Sequence, residues 1–324
     1  MNKRNISVLT LLVLFSFAAQ TVLGQTKYPE KPIEAICAYR AGSGHDIASR
    51  VMAEILPRYL GQPVIIANKV GGSGSIAGNY LVRSNSDGYT LGFFNEVQVT
   101  PEAGMNAKLF QYTSKDILPV AQWSGTGFAV FVKYDAPWRS AREFVDYCKE
   151  NPDKVRWGHT GVGTRYWLAQ AVFKQLAGIK VLEVPFQGDN ELISAILGNH
   201  IEISVMGIGG VTIAQLKANK IRPLFTIEPK RSSLLPDLPT ADELGYPLNL
   251  WEPYLGTFVP KGTPEDIVAK ISNATKKTAE DAEFREKMKN VWWPVKYKDT
   301  KEFEEMVSKN GKAIYEIQKK FGFL

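Results

Sequence analysis

The chain has 324 residues, 44% of them apolar and 22% charged, which excludes disordered, collagen-like and coiled-coil classes and leaves enough material for two domains, each with its own core. The formal charge is +6, from 39 basic and 33 acidic residues; without a dense Lys/Arg stripe this argues against a nucleic-acid partner and suits small acidic molecules. Two cysteines are too few for a disulfide scaffold.

Residues 1–24 read as a signal peptide. Lys3 and Arg4 precede an apolar run from Val8 to Ala19, broken by Thr10 and Ser16, and small residues follow up to Gly24. The run is shorter than the roughly 20 residues needed to span a bilayer. No cysteine follows it that could take a lipid anchor. Cleavage near Gly24 leaves 37 basic and 33 acidic residues, a net charge of +4. The mature chain is expected to be soluble and exported.

From Pro32 onward, apolar strands alternate with amphipathic helices. Ile33 to Tyr39 is a buried strand, followed by a helix capped near Asp46 with Ile47, Val51, Ile55 and Leu60 on one side. Pro57 should end or kink that helix. Pro63 to Ala67 is the next strand, a short helix starts near Ser75, and Tyr89 to Phe94 is the third strand. A second series follows: a helix from Ser140, a strand from Val155 to Gly158, a helix capped by Thr164, a strand from Val181 to Pro185, a helix capped by Asp189, and strands at Ile201 to Val205 and Ile221 to Ile227. The C-terminal part is mainly helical, with a strong start at Thr263-Pro264-Glu265-Asp266 and a helix from Thr300 to Lys320. Alternation of this kind predicts α/β architecture with mostly parallel sheets flanked by helices, and two series predict two lobes.

Three glycine-rich loops each join a strand to a helix: Arg40-Ala41-Gly42-Ser43-Gly44-His45-Asp46, Lys69 to Ser75, and His159-Thr160-Gly161-Val162-Gly163-Thr164-Arg165. Glycine lets backbone N–H groups turn toward a ligand, and a helix N-terminus adds partial positive charge. In open α/β sheets, ligands sit at the carboxyl ends of strands. The first and third loops, one in each series, are therefore the candidate anion cradle. None has the Gly-Lys-Ser/Thr ending of a nucleotide P-loop. Ser43, His45 and Asp46 are too close in sequence to converge as a catalytic relay, and His45, His159 and His200 are too scattered for a metal site. Catalytic residues, metal and cofactor are therefore all expected to be absent. Cys37 and Cys148 fall in different series and are expected to be free, buried thiols. Most tryptophans are core candidates; Trp251 and Tyr254 are candidates to line a cleft.

Several segments together carry a resemblance. They are Tyr28-Pro29-Glu30-Lys31-Pro32-Ile33, Gly61-Gln62-Pro63-Val64, Asp87-Gly88-Tyr89-Thr90-Leu91, Pro185-Phe186-Gln187-Gly188, Leu235-Pro236-Asp237-Leu238-Pro239-Thr240 and Pro260-Lys261-Gly262-Thr263-Pro264. In order and spacing the chain resembles the Bug/TctC family, the extracytoplasmic solute receptors of tripartite tricarboxylate transporters. The resemblance runs from Tyr28 to the C-terminus. It implies a periplasmic binding protein of the two-lobed flytrap type, with residues 25–124 plus 226–324 as one lobe and 125–225 as the other. It also implies a monomer that takes a small carboxylate and hands it to membrane subunits. Carried across residue by residue, the resemblance implies ligand binding by Ala41, Gly42, Ser43, Gly44, His45 and Asp46 of the first loop, by Thr160, Gly161, Gly163 and Thr164 of the third, and by Gly188, Met206 and Gly207. Arg40, His159 and Arg165, which lie in the same loops, and Asn95 complete the candidate set.

This chain departs from the family pattern at Arg40, His45 and Arg165, and at Met206-Gly207-Ile208-Gly209-Gly210. Guanidinium groups grip carboxylates with paired hydrogen bonds, so Arg40 and Arg165 lead to the expectation of a dicarboxylate. The competing readings are a secreted α/β enzyme acting on an acidic substrate and a ligand sensor for a signalling partner.

Overall fold

The computed structural model describes residues 28–101, 107–248 and 250–324; the leader expected over residues 1–24 lies outside them. The chain opens with β1 (Ile33–Cys37), α1 (Gly44–Ile55), α2 (Pro57–Leu60), β2 (Val64–Asn68), α3 (Ser75–Arg83), β3 (Thr90–Phe94), α4 (Glu96–Val99) and β4 (Ile117–Ser124). Pro57 acts as expected: it lacks an N–H for the helix ladder, so α1 stops at Ile55 and the proline opens a new short turn. The chain then crosses to a second sheet. There it forms β5 (Phe128–Lys133), α5 (Ala141–Glu150), β6 (Arg156–His159), α6 (Arg165–Ala177), β7 (Leu182–Pro185), α7 (Asp189–Leu197), β8 (Ile203–Gly207), α8 (Gly210–Lys217) and β9 (Ile221–Thr226). It returns through β10 (Leu255–Pro260), α9 (Glu265–Glu280), α10 (Ala282–Asn290), β11 (Val295–Lys298) and α11 (Thr300–Lys320).

The first sheet has the order β11-β4-β10-β3-β1-β2 and the second β7-β6-β8-β5-β9. Both are mixed but keep the expected mostly parallel character: β1, β2, β3 and β4 run one way against β10 and β11, and β6, β7, β8 and β9 run one way against β5. β1 pairs parallel with β2 and β3, and β6 with β7 and β8. β10 runs antiparallel to β3 and β4, and β5 antiparallel to β8 and β9. β4, β5, β9 and β10, which flank the crossings, all take part in antiparallel pairs. β4, β5 and β10 are buried almost throughout and show no in–out alternation, so no period marks them in the sequence.

Helices cover both sheets. Met52, Ile55, Trp123, Ile271 and Phe284 pack in the first core, and Trp157, Phe173, Val205 and Phe225 in the second. Each such side chain contributes about 1.5–3 kcal/mol by leaving water. Residues 227–251 cross between the sheets, yet Ile227, Leu248, Leu250 and Trp251 belong to the second core, whereas the expected boundary at 226 grouped them with the first lobe. α11 spans both lobes: Phe303, Met306 and Val307 pack with Phe258 of the first, and Ile314 and Ile317 join the second core. The crossing segments nearly touch at Gly125, where an added Cβ would lie 2.4 Å from the Pro253 carbonyl oxygen, so no larger residue fits. Cys37 and Cys148 are free and buried. No helix among the described residues is long and apolar enough to cross a membrane.

Candidate functional site

Between the sheets lies a cavity of about 490 Å³, lined from both lobes. That size falls within the usual range for small-molecule sites. Two helix starts face it. At α1, Ser43 is the cap, its hydroxyl accepting from the Asp46 amide at 3.3 Å. At α6, Thr164 does the same for the Trp167 amide at 3.4 Å. Each cap satisfies one first-turn amide and leaves the amides ahead of it, Gly44 and His45 in α1 and Arg165 and Tyr166 in α6, without an intrahelical acceptor. The loop before α6 turns at Gly161, whose φ of 111° favours glycine.

Of the residues expected from sequence, Arg40, Ala41, Ser43, Gly44, His45, Asn95, Thr160, Gly161, Thr164, Arg165, Gly188 and Gly207 line the cavity. Gly42, Asp46, His159, Gly163 and Met206 do not. Asp46 braces the first loop from behind: its carboxylate accepts from the Gly42 amide, Arg50 and Asn68 at 2.7–2.9 Å. Burial pulls the Asp46 pKa up, but those donors outweigh it and hold it below the ordinary carboxylate value. His159 is buried beneath the third loop, where its Nδ1 accepts from the Gly161 amide at 3.0 Å. Gly163 faces a smaller void of about 30 Å³. Met206 is fully buried in the second lobe.

His45 stacks on Tyr39 with ring centroids 4.1 Å apart and meets the Trp293 ring edge-on at 5.0 Å. Its Nε2 lies 3.2 Å from the Asn95 amide nitrogen, which also donates to the Tyr39 hydroxyl at 2.6 Å. Burial pushes the His45 pKa down to about 4, so this imidazole is neutral and supplies no positive charge.

Neither arginine is available as an unpaired cation. Arg40 reaches across the cleft to Glu191 at 3.4 Å. Arg165 is buried between the rings of Phe128 and Trp251, 4.9 and 4.8 Å from their centroids. Its guanidinium pairs with Glu96 at 3.4 Å and Glu228 at 3.2 Å, and donates to the Trp251 carbonyl at 2.7 Å. Burial pushes the Glu228 pKa up to about 6 against the pull of Arg165. The expected cleft role of Trp251 is thus indirect, through Arg165, while Tyr254 is buried in the core beside Phe258 and Phe303.

Sequence reasoning missed several lining residues. The second glycine loop, Val70 to Gly74, faces the cavity beside the other two; its position after β2 was the available signal. Tyr166 and Asp189 sit in the first turns of α6 and α7. The Tyr166 hydroxyl donates to the Asp189 carboxylate at 2.8 Å, and Gly188, not Asp189, is the cap of α7. Trp293 arrives from behind α10, and nothing local in the sequence marks it for the site. Among the described residues, no group of three or more His, Cys, Asp or Glu could hold a metal ion.

Comparison with known proteins follows the same outline. Residues 48–323 match the family model described as "Tripartite tricarboxylate transporter family receptor", TctC. A UPF0065 protein in the gbd 5' region of Cupriavidus necator is 29% identical over 305 residues, covering 91% of this chain and 89% of that one. The solved periplasmic binding protein BugD is 26% identical, with a TM-score of 0.81 over 91% of this chain and 99% of its own. MatC from Rhodopseudomonas palustris, solved with bound malate, shares the fold at 22% identity and a TM-score of 0.81, covering 90% of this chain and 99% of MatC.

Proposed function

Because the chain belongs to the tripartite tricarboxylate transporter receptor family, we propose that it captures one small carboxylate in its inter-lobe cleft and delivers it, as a monomer, to membrane transport subunits. Members of this family are periplasmic solute-binding receptors, not enzymes, so the reading of a secreted enzyme falls. One observation carries the proposal: a helix start from each lobe, α1 and α6, faces a single cavity of about 490 Å³. Backbone amides and helix dipoles at two such starts hold one carboxylate without a side-chain cation. The lobes in this reading are residues 28–124 with 255–299, and residues 128–251, with α11 bracing both. A dicarboxylate was expected from Arg40 and Arg165; its second carboxylate would have to displace Glu191, Glu96 or Glu228 from those arginines.

The test is thermal unfolding of residues 28–324 against mono-, di- and tricarboxylates, since a ligand that binds only the native state raises Tm by mass action. Uptake of the stabilising compound is then measured in cells with and without the protein. Stabilisation together with loss of uptake supports capture and delivery. Stabilisation with unchanged uptake favours a sensor, and no stabilisation by any carboxylate overturns the proposal.

A further inference from the structure

The charges around the cavity do not favour a second anion. Arg40 is paired with Glu191, and Arg165 is shared by Glu96 and Glu228. Asp189 also lines the cavity, and among the described lining residues no cation partners it. Two arginines therefore face four carboxylates. Asp189 is held in place by two donors, the Tyr166 hydroxyl at 2.8 Å and the Gly207 backbone amide. A carboxylate has about four acceptor positions, so these neighbours leave room for a donor from the cavity. A second, independent feature points the same way. Glu96 lines the cavity from the first lobe and is 2% exposed, yet its Oε2 has no hydrogen-bond partner. Buried acceptors are rarely left unpaired.

Resting on the carboxylate reading above, we infer that the ligand also carries a nitrogen-borne hydrogen-bond donor, an ammonium or an amide, and that Asp189 selects it over a diacid. The two helix starts take the carboxylate of such a ligand, and the acidic side of the cavity takes its N–H groups. A diacid would bring a second negative charge against Asp189 and Glu96 with no free cation to meet it. Burial pushes Asp189 up to about 6, so at neutral pH it remains mostly an ionised acceptor. Burial of like charges is costly and shapes specificity by rejection as much as by attraction.

The experiment is isothermal titration of the wild type with straight-chain carboxylates of three to six carbons. Each length is offered with a methyl, primary amide, ammonium or second carboxylate at the far end, together with the α-amino acid of equal length. The ammonium or amide members should bind roughly 10-fold or more tightly than the matched diacid, the size of one charge-assisted hydrogen bond. Asp189→Asn should erase that preference by a similar factor while leaving the methyl-ended members within about threefold; Tyr166→Phe, which keeps the carboxylate, should reduce it less. If diacids bind as tightly as the nitrogen-bearing members, the inference fails and the carboxylate reading stands. If Asp189→Asn folds, by its unfolding transition, and keeps the preference, Asp189 is not the selecting residue. If no member binds, both readings fall together.

Discussion

Arg165 shows how a residue that looks like a ligand anchor can belong to the frame. Two glutamates, a carbonyl and two aromatic rings hold it, and the group joins both lobes through Glu96 and the crossing segment through Glu228 and Trp251. Breaking a buried ion group by removing one member leaves uncompensated charge, so Arg165→Met is expected to cost roughly 3–5 kcal/mol at pH 7.5. The cost should shrink with acidity. Glu228 is raised from its ordinary 4.5 to about 6, so its ionised form is the disfavoured one in the fold. The stability it withholds returns as pH falls from about 6 through 4.5. Without the arginine, Glu228 loses the positive charge that pulls its pKa down and takes up its proton at higher pH. Urea unfolding of the two proteins at pH 7.5 and pH 5 checks this; an equal penalty at both values would refute the account. His45 acts in the opposite direction: burial lowers its pKa from 6.5 to about 4, so it removes stability as pH falls from about 6.5 toward 4. Only the difference between variant and wild type is therefore informative.

At the level of elements, the α1 and α6 caps are equivalent devices, one in each lobe. Ser43→Ala and Thr164→Ala should each cost about 1 kcal/mol. They share no partner, so the double variant should be additive within about 0.5 kcal/mol, as measured by urea unfolding. A marked excess over the sum would mean the two loops already support each other without ligand. The same elements show what the sequence makes legible. Strands followed by helices could be read because β1 and β3 are short apolar runs bounded by turn residues, and α11 because its caps and periodicity agree over Thr300–Lys320. β4, β5 and β10 could not be read, being continuous buried runs without helical spacing. The first and third loops were legible from glycine content and position after a strand. Asp189 was not: a helix-opening acid reads as a cap, and only the fold turns its carboxylate toward Tyr166. Long-range partners such as Glu191 for Arg40 and Trp293 for His45 leave no local trace.

For the whole molecule, contacts across the cleft describe a closed arrangement. The Gly210 amide donates to the Val291 carbonyl at 3.1 Å, Arg40 meets Glu191, and Lys217 lies 3.9 Å from the centre of the Trp292 ring. The exposed charged contacts contribute about 0–1 kcal/mol each and the backbone hydrogen bond about 0.5–1.5 kcal/mol, too little to hold the lobes together by themselves. We predict that the ligand-free protein opens about the 125–127 and 227–254 crossings and closes on binding. Small-angle scattering should then record a smaller radius of gyration once a binding carboxylate saturates the protein. An unchanged radius, together with a free-state curve that already fits the closed form, would count against hinge motion.

The path of α11 also bears on the order in which the protein can fold as it is made. Every strand of the second sheet is complete by Thr226, yet Ile314 and Ile317 fill its core and Phe323 packs against Trp167 at 5.1 Å. A chain emerging N-terminus first therefore exposes an unfinished second lobe until residues 314–323 arrive. Those residues in turn are positioned by Phe303 and Met306 on the first lobe. The two lobes mature together, and a stalled or clipped chain lacking this short stretch would leave apolar surface open in the lobe whose sheet was already formed.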